Sequence, residues 1–463
     1  MMERTIEQIA GMIGAEAPAG DAGRTVVKGV SIDTRSILRD NLFVPIQGPR
    51  FNGHEYTAEA FRKGAAAALW QKDEPDPPAH LPLLYVDDTV KALGRLAQAY
   101  RSQLKTKVIG ITGSNGKTST KDILAAILGT TYRTQKTIGN LNNHLGVPLT
   151  LLRLDEDTEM AVVEMGMSGL GEIAALSAMA QPDVAIITSV SEVHLGDLPT
   201  REDIAEAKLE IAGSLKPDGL FVYNADNPLL LERLAHKNVA CRMVSFGQSE
   251  QHDWHPLAYT PDERGIAFTI SDPACPELYL NLLGKHQMIN ALAAIAAARH
   301  FGVSYDNIRR ALRHVEATGM RNEPIRIGGF TVINDVYKSN PTSVRAALDT
   351  LYAMPAHKRK IVVLGDMVEL GEETEAFHRE IGAELDPSRI DRLFTVGSMS
   401  RLIAEEARKH FPEDRVTVCL DHAQLVSQLK EAVSDDCIVL IKGSRSLQLE
   451  QPIETLREEL GAP

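Results

Sequence analysis

The stretch Lys107-Val108-Ile109-Gly110-Ile111-Thr112-Gly113-Ser114-Asn115-Gly116-Lys117-Thr118 decides how this chain is read. Its first half is a short apolar run closed by a glycine turn, the pattern of a buried strand. After it, Ile123, Leu124, Ile127 and Leu128 recur at helical spacing, which predicts a helix over 118–128. A strand, a glycine turn and a helix start together make an anion site. The first amides of a helix have no partner within it, and the helix dipole favours negative charge there. Gly113 and Gly116 let the backbone wrap closely around phosphate oxygens. Lys117 is placed to reach terminal phosphates as a point charge, and the Thr118 hydroxyl to ligate Mg²⁺. Two residues separate the glycines, where the usual phosphate loop has four. The plainer reading is a glycine-rich turn with a solvated lysine. It accounts for the glycines but not for the agreement of strand, turn and helix.

Outward from the loop, strands and helices alternate, which predicts an α/β fold with a parallel sheet covered on both faces. Met160–Glu164 and Asp183–Thr188 read as further buried strands, with Glu164 at the end of one and His194 in the loop beyond the other. Ligands of open α/β sheets sit outside the carboxyl ends of the strands. A carboxylate and an imidazole there can hold Mg²⁺ directly or through water, although a lone loop histidine is more often a surface residue. A helix is predicted over 201–215, and Lys208 falls on its apolar stripe of Ile204, Ile211 and Leu215. A lysine on a core face must snorkel, pair, lose its charge or be modified. Gly284–Asn290 opens an alanine-rich helix reaching His300, with His286 and Asn290 expected as exposed neighbours on one face.

Three domains are expected: 1–103, 104–316 and 317–463. In the first, a helix is expected over 5–13, strands over 26–32, 41–46, 67–70 and 83–86, and helices over 58–68 and 90–100. Two polar turns, Asp33-Thr34-Arg35-Ser36 and Gly48 to His54, are either ordinary loops or ligand contacts. In the third, Phe330–Asp335, Ile361–Leu364, Leu393–Val396 and Ile438–Ile441 are strands of a Rossmann-like layout without G-x-G-x-x-G.

The chain has 463 residues, 49 Lys and Arg against 62 Asp and Glu, and a net charge of -13, so it carries no nucleic-acid footprint. The four cysteines are scattered without a C-x-x-C pair, against a disulfide scaffold or zinc site and consistent with a reducing compartment. Met1–Ala10 lacks the apolar core of a signal peptide, and no apolar run is long enough to span a bilayer. A cytoplasmic protein without membrane insertion is expected.

Taken together, Thr112–Thr118, Glu164, His194, Ala207-Lys208, Gly319-Met320-Arg321 and Asp335 resemble the Mur ligases, ATP-dependent enzymes that add amino acids to the bacterial cell-wall precursor. The resemblance covers all three domains. Gly139-Asn140-Leu141-Asn142-Asn143, Val363-Leu364-Gly365-Asp366-Met367 with Glu369-Leu370-Gly371, and Lys442-Gly443-Ser444-Arg445 are similar to the branch that joins D-alanyl-D-alanine (D-Ala-D-Ala) to UDP-N-acetylmuramoyl-tripeptide (UDP-MurNAc-tripeptide). The resemblance implies a small α/β substrate domain, a central P-loop-type ATPase domain and a Rossmann-like third domain that closes on the nucleotide. It implies ATP, Mg²⁺, and CO₂ held as a carbamate on Lys208. Gly113, Ser114, Asn115, Gly116, Lys117 and Thr118 would hold the phosphates. Thr118, Glu164, His194 and Lys208 would hold the metal, and Lys117, Lys208, Glu164 and His194 would be catalytic. His286 and Asn290 would meet the adenine, and Arg321 and Asp335 would reach the nucleotide on closure. Ser31, Thr34, Arg35, Asn52, Gly53 and His54 would bind the UDP-sugar end, and Asn140, Asn142 and Asn143 would face the substrate or metal. A monomer is implied. Lys338-Ser339 and Ser446-Leu447 depart from the family's usual pattern. A ligase for another acceptor amine, or a switch driven by ATP, stays open at this point.

Overall fold

The computed structural model of the chain describes residues 1–18, 20–192, 196, 198, 200–354 and 359–461. Its centre is a six-stranded parallel sheet in the order Thr134–Lys136, Met160–Glu164, Lys107–Thr112, Val184–Ile187, Leu220–Asn224, Arg242–Phe246. The strand Lys107–Thr112 is the pivot. Successive connections leave it on opposite sides, with Glu164 in register with Ile111 and Ile187 with Thr112. A crevice opens above the carboxyl ends at such a reversal. The strands are apolar throughout because both faces are covered. Ile109, Ile111 and Val162 meet Ile123, Leu124 and Met288 on one face. Val108, Val163 and Ile187 meet Leu93, Leu96, Ile173 and Ile204 on the other.

That second cluster continues into the amino-terminal unit. The helix Thr89–Gln103, capped by Asp88, buries Leu93, Leu96, Ala97 and Tyr100 in the cluster that also holds Ile6 and Ile9 of the first helix. The first unit carries a parallel sheet in the order Val30–Ser31, Leu42–Phe43, Ala67–Gln71, Leu83–Val86. Here local expectations needed correction. The strand expected over 26–32 is broken at Gly29, whose φ of 73° turns the chain. Val26–Lys28 pairs with Glu3–Thr5, while Val30–Ser31 enters the other sheet. The helix expected over 58–68 stops at Arg62, because Gly64 at φ 110° reverses the chain into a strand.

The third unit has the sheet order Glu323–Ile327, Phe330–Asp335, Cys437–Lys442, Arg359–Gly365, Arg392–Val396, Val416–Cys419. All neighbours are parallel except the first pair. Asp335 and Lys442 face each other in register at the carboxyl end. A three-stranded antiparallel sheet over Pro256–Pro261, Ile266–Ile270 and Leu278–Leu280 was not anticipated, although buried Ile266, Phe268 and Ile270 alternate as a strand should. Among the described residues no helix is long and apolar enough to cross a membrane.

Candidate active site

Strand Lys107–Thr112 delivers the chain to the glycine loop and helix Lys117–Leu128 leaves it, one residue earlier than expected. Gly116 caps that helix at φ 84°, and an added Cβ there would collide with the Asn290 side chain, as one at Gly113 would with the Thr188 hydroxyl. The loop is held from behind. The Ser114 amide donates to Ser189 O at 2.9 Å and the Asn115 amide to Ser189 Oγ at 2.8 Å. The amides of Gly116, Lys117, Thr118 and Ser119 have no protein partner among the described residues. Clamping one half while leaving the other half's donors open is the arrangement an anion needs. Lys117 Nζ donates to Gly113 O at 2.6 Å. Burial pushes its basicity down to about 8, opposed by Glu164 and reinforced by Lys338 and Arg321.

Beside the loop lies Glu164, buried at the end of its strand. Thr118 Oγ1 donates to Glu164 Oε2 at 2.9 Å and Asn142 Nδ2 to Oε1 at 2.8 Å. Lys121 Nζ stands 3.9 Å from Oε2. A hydroxyl and a carboxylate meeting at an anion site are the hard oxygen donors that Mg²⁺ prefers, so these residues fit the ion. Among the described residues no group of three or more His, Cys, Asp or Glu could hold a metal by itself. His194 lies outside the described residues. Asn140 is exposed, and Asn143 Oδ1 accepts the amides of Leu145 at 3.1 Å and Gly146 at 3.0 Å.

Lys208 is 1% exposed, which excludes snorkelling. The helix carrying it is α-helical only over Arg201–Leu209 and tightens to 3₁₀ over Glu210–Ser214, shorter than the expected 201–215. Glu206 pairs with Lys237, and Glu210 accepts the amides of Gly171 and Ala174. Neither neutralises Lys208. Burial, aided by the charges of Lys117 and Lys338, drives its basicity far below the ordinary lysine value.

The third unit faces this site across short bonds. Asn115 and Asn340 exchange amide hydrogen bonds of 2.9 and 3.3 Å. The Thr318 amide and hydroxyl donate to Asp122 Oδ2 at 2.9 and 2.8 Å. Asn290, expected on the surface, is 7% exposed, because the glycine loop folds over it. His286 is half-buried, its Nε2 3.1 Å from Asn322 Nδ2, and burial lowers its pKa to about 4. Arg321 stacks over the Tyr337 ring at 3.8 Å. Arg321 and Asn322 also line a cavity of about 230 Å³ with Arg264, Asn281 and Val315. The Asp335 carboxylate takes a hydrogen bond from buried Lys442 Nζ at 2.6 Å. Asn340 and Lys442 were missed as site residues. A lysine ending an apolar strand was the available signal for Lys442, whereas nothing local marks Asn340.

Among the described residues the amino-terminal candidates are not bonded to the loop. Ser31 Oγ donates to Asp33 O at 2.9 Å, and the Thr34 carbonyl accepts from Lys63 Nζ at 3.2 Å. Arg35 NH2 lies 2.7 Å from Asp33 Oδ2, and its hydrogen bonds hold the Asp33 carboxyl below the usual range. Asn52 Nδ2 donates to Glu74 Oε1 at 2.6 Å. Buried His54 stands 2.9 Å from Asn52 Oδ1 through Nδ1 and takes the Gln71 amide on Nε2 at 3.2 Å. Gly53 packs against the Ile46 backbone, leaving no room for a side chain.

Three family profiles match the chain: "Mur ligase family, catalytic domain" over 26–101, "Mur ligase middle domain" over 111–298, and "Mur ligase, glutamate ligase domain" over 320–445. The UDP-N-acetylmuramoyl-tripeptide–D-alanyl-D-alanine ligase of Bacillus subtilis is 44% identical over 459 residues, covering 99% of both chains. The crystal structure of MurF from Acinetobacter baumannii superposes with a TM-score of 0.88 at 30% identity, covering 99% of this chain and 100% of that one. The structure of MurF ligase from Thermotoga maritima in complex with ADP gives 0.83 at 27% identity, covering 94% and 98%.

Proposed function

The chain belongs to the Mur ligase family, and from that premise we propose how its residues carry the reaction. It is an ATP-dependent ligase that joins D-Ala-D-Ala to UDP-MurNAc-tripeptide, releasing ADP and phosphate and giving the pentapeptide precursor of peptidoglycan. The observation that carries the mechanism is the row of open amides from Gly116 to Ser119 above the Thr118–Glu164 pair.

In this reading the open amides hold the phosphates of ATP, with Gly113, Ser114 and Asn115 shaping the loop. Lys117 leaves Gly113 O for the terminal phosphates. Thr118, Glu164, His194 and Lys208 hold Mg²⁺, which when bound neutralises charge shared between the reacting anions. Lys208 acts as a carbamate. Its burial, with no partner among the described residues, favours the neutral amine, the form that adds CO₂, and the product supplies two oxygens. The tripeptide's terminal carboxylate attacks the γ-phosphate, releasing ADP and leaving an acyl phosphate. The amine of D-Ala-D-Ala attacks the acyl carbon and phosphate departs. Lys117 offsets negative charge in the first step. His286 and Asn290 serve the adenine, and Arg321 and Asp335 the nucleotide. Ser31, Thr34, Arg35, Asn52, Gly53 and His54 serve the UDP-sugar, and Asn140, Asn142 and Asn143 the peptide or metal region. Domain 1–103 then binds the UDP-substrate, 104–316 the ATP, and 317–463 the dipeptide while enclosing the acyl phosphate from water. The enzyme works as a cytoplasmic monomer.

The test is phosphate release with each acceptor amine, read beside mass spectrometry of the products. D-Ala-D-Ala should stimulate release and add a dipeptide to the UDP-linked peptide. Stimulation by lysine, diaminopimelate or glutamate instead, or ATP hydrolysis without a peptide product, overturns the reading.

A further inference from the structure

The segment from Asp335 to Asn340 runs from the end of a third-unit strand to the N-cap of helix Pro341–Tyr352, and it lies against the phosphate loop. It is anchored at both ends. At the first, Lys442 Nζ bonds Asp335 Oδ2 at 2.6 Å and the Lys338 carbonyl at 3.0 Å. At the second, Asn340 Nδ2 donates to Asn115 Oδ1 at 2.9 Å and receives the Asn115 amide in return at 3.3 Å. The backbone of residue 338 is thereby fixed two residues from the Asn340 contact with the loop. Its partly exposed side chain meets Glu369 Oε2 at 2.9 Å, and Glu369 stands at φ 65° in the turn after strand Arg359–Gly365.

The third unit presents other cations nearby, but they are engaged differently. Lys442 is buried and committed to Asp335, and Arg321 is stacked on Tyr337. The Lys338–Glu369 pair is partly solvated, and such pairs add little to stability. A polyphosphate offers more charge and more acceptor oxygens than a single carboxylate, so the ammonium can exchange Glu369 for phosphate.

We propose that Lys338 is a further catalytic residue: a cation carried by the third unit to the phosphate end of the loop, where it contacts the transferring phosphoryl oxygens. This rests on the phosphate-site reading above. Lys117 from the loop and Lys338 from the third unit then flank the same group, and Glu369 is the positioning residue that aims Lys338 before phosphate arrives. ATP is fully engaged only while the third unit is docked.

Steady-state ligation by Lys338→Met and Lys338→Arg tests this, with thermal melting of each. Lys338→Met should lower kcat about 100-fold, the scale of losing one donor to transition-state charge. KM for the UDP-substrate and the dipeptide should stay within about threefold, since charge developing in the transition state is what is lost. The melting midpoint should not move. Lys338→Arg should recover about tenfold of the lost kcat, because the charge returns with altered geometry. If Lys338→Met does not fold, Lys338→Gln is read by the same criteria. A kcat within about threefold of wild type, or a loss carried wholly by KM, overturns the proposal. Lys117→Ala runs alongside. Normal ligation by Lys117→Ala defeats the phosphate-site reading, whereas an inactive Lys117→Ala beside a normal Lys338→Met defeats only the role of Lys338.

Discussion

The glycine loop at Gly113–Thr118 and the amino-terminal turns at Asp33–Ser36 and Asn52–His54 are all polar bends that follow strands, yet their hydrogen bonds are distributed in opposite ways. In the loop the backbone is clamped from behind by Ser189 while the amides of Gly116 to Ser119 have no partner among the described residues. In the turns the side chains bond one another. Asp33 holds Arg35, Asn52 holds the His54 ring, and His54 holds the Gln71 amide. The first arrangement is a preorganised acceptor of negative charge. The second is a scaffold whose polar groups keep the backbone in place, so a ligand there must compete with bonds already made or read the backbone they position.

The largest effect that sharpens this contrast is at the loop. Lys117→Ala should cut ligation by about 1,000-fold or more, because its proposed contact with transferring phosphate would be lost outright. Thermal melting should hardly change, since among the described residues Lys117 bonds only carbonyls of its own loop. Near-normal turnover in the folded variant would break the contrast at its stronger end. Next is Lys208→Arg, which keeps charge and approximate length but cannot become a carbamate. Ligation should fall by about 100-fold or more. Wild-type enzyme in CO₂-depleted buffer should lose activity and regain it with bicarbonate at fixed pH. Wild-type rates from Lys208→Arg would make Lys208 a merely structural lysine.

Smaller effects are expected in the turns. Arg35→Ala removes an exposed pair that water already screens, so stability should hold, while KM for the UDP-substrate rises about tenfold with kcat unchanged. His54→Ala should cost about 2 kcal/mol of stability in denaturant titration, because the Gln71 amide loses its acceptor and a gap opens beside Trp70. The reverse pattern, with Arg35 structural and His54 neutral, would mean that the scaffold has been assigned to the wrong residues.

An effect confined to the pH dependence of stability concerns His286. Its folded pKa of about 4 lies below the ordinary 6.5, so below pH 6.5 the unfolded chain takes up a proton that the folded chain refuses. Stability should therefore decline as pH falls from 6.5 to 4, by on the order of 2 kcal/mol from this group. His286→Gln should flatten that part of the pH–stability curve. An unchanged slope would show that the ring protonates freely in the folded protein.

Much of the site was legible because its parts are local. The loop, its strand and its helix are contiguous, and Glu164 ends a strand whose apolar run is unmistakable. Lys208 was visible as a charge on an apolar stripe, and its burial bears that out. The exposure of Asn290 was misjudged because an alanine-rich helix has almost no amphipathic signal, and only the folded loop covers that face. The break at Gly29 and the stop at Arg62 were missed because the apolar pattern runs on across both, while positive φ at Gly29 and Gly64 turns the chain.

By itself the sequence determined the α/β class and the strand, glycine loop and helix in succession, and it singled out the candidate site residues, since each depends on periodicity and spacing within a few turns of chain. Only the tertiary structure decided which polar groups are left open and which are consumed. Lys442 beside Asp335 and Asn340 against Asn115 are separated by 107 and 225 residues from the groups they meet. No local pattern encodes such distances. They follow from where the third unit's sheet is carried when its strands pair and its core closes.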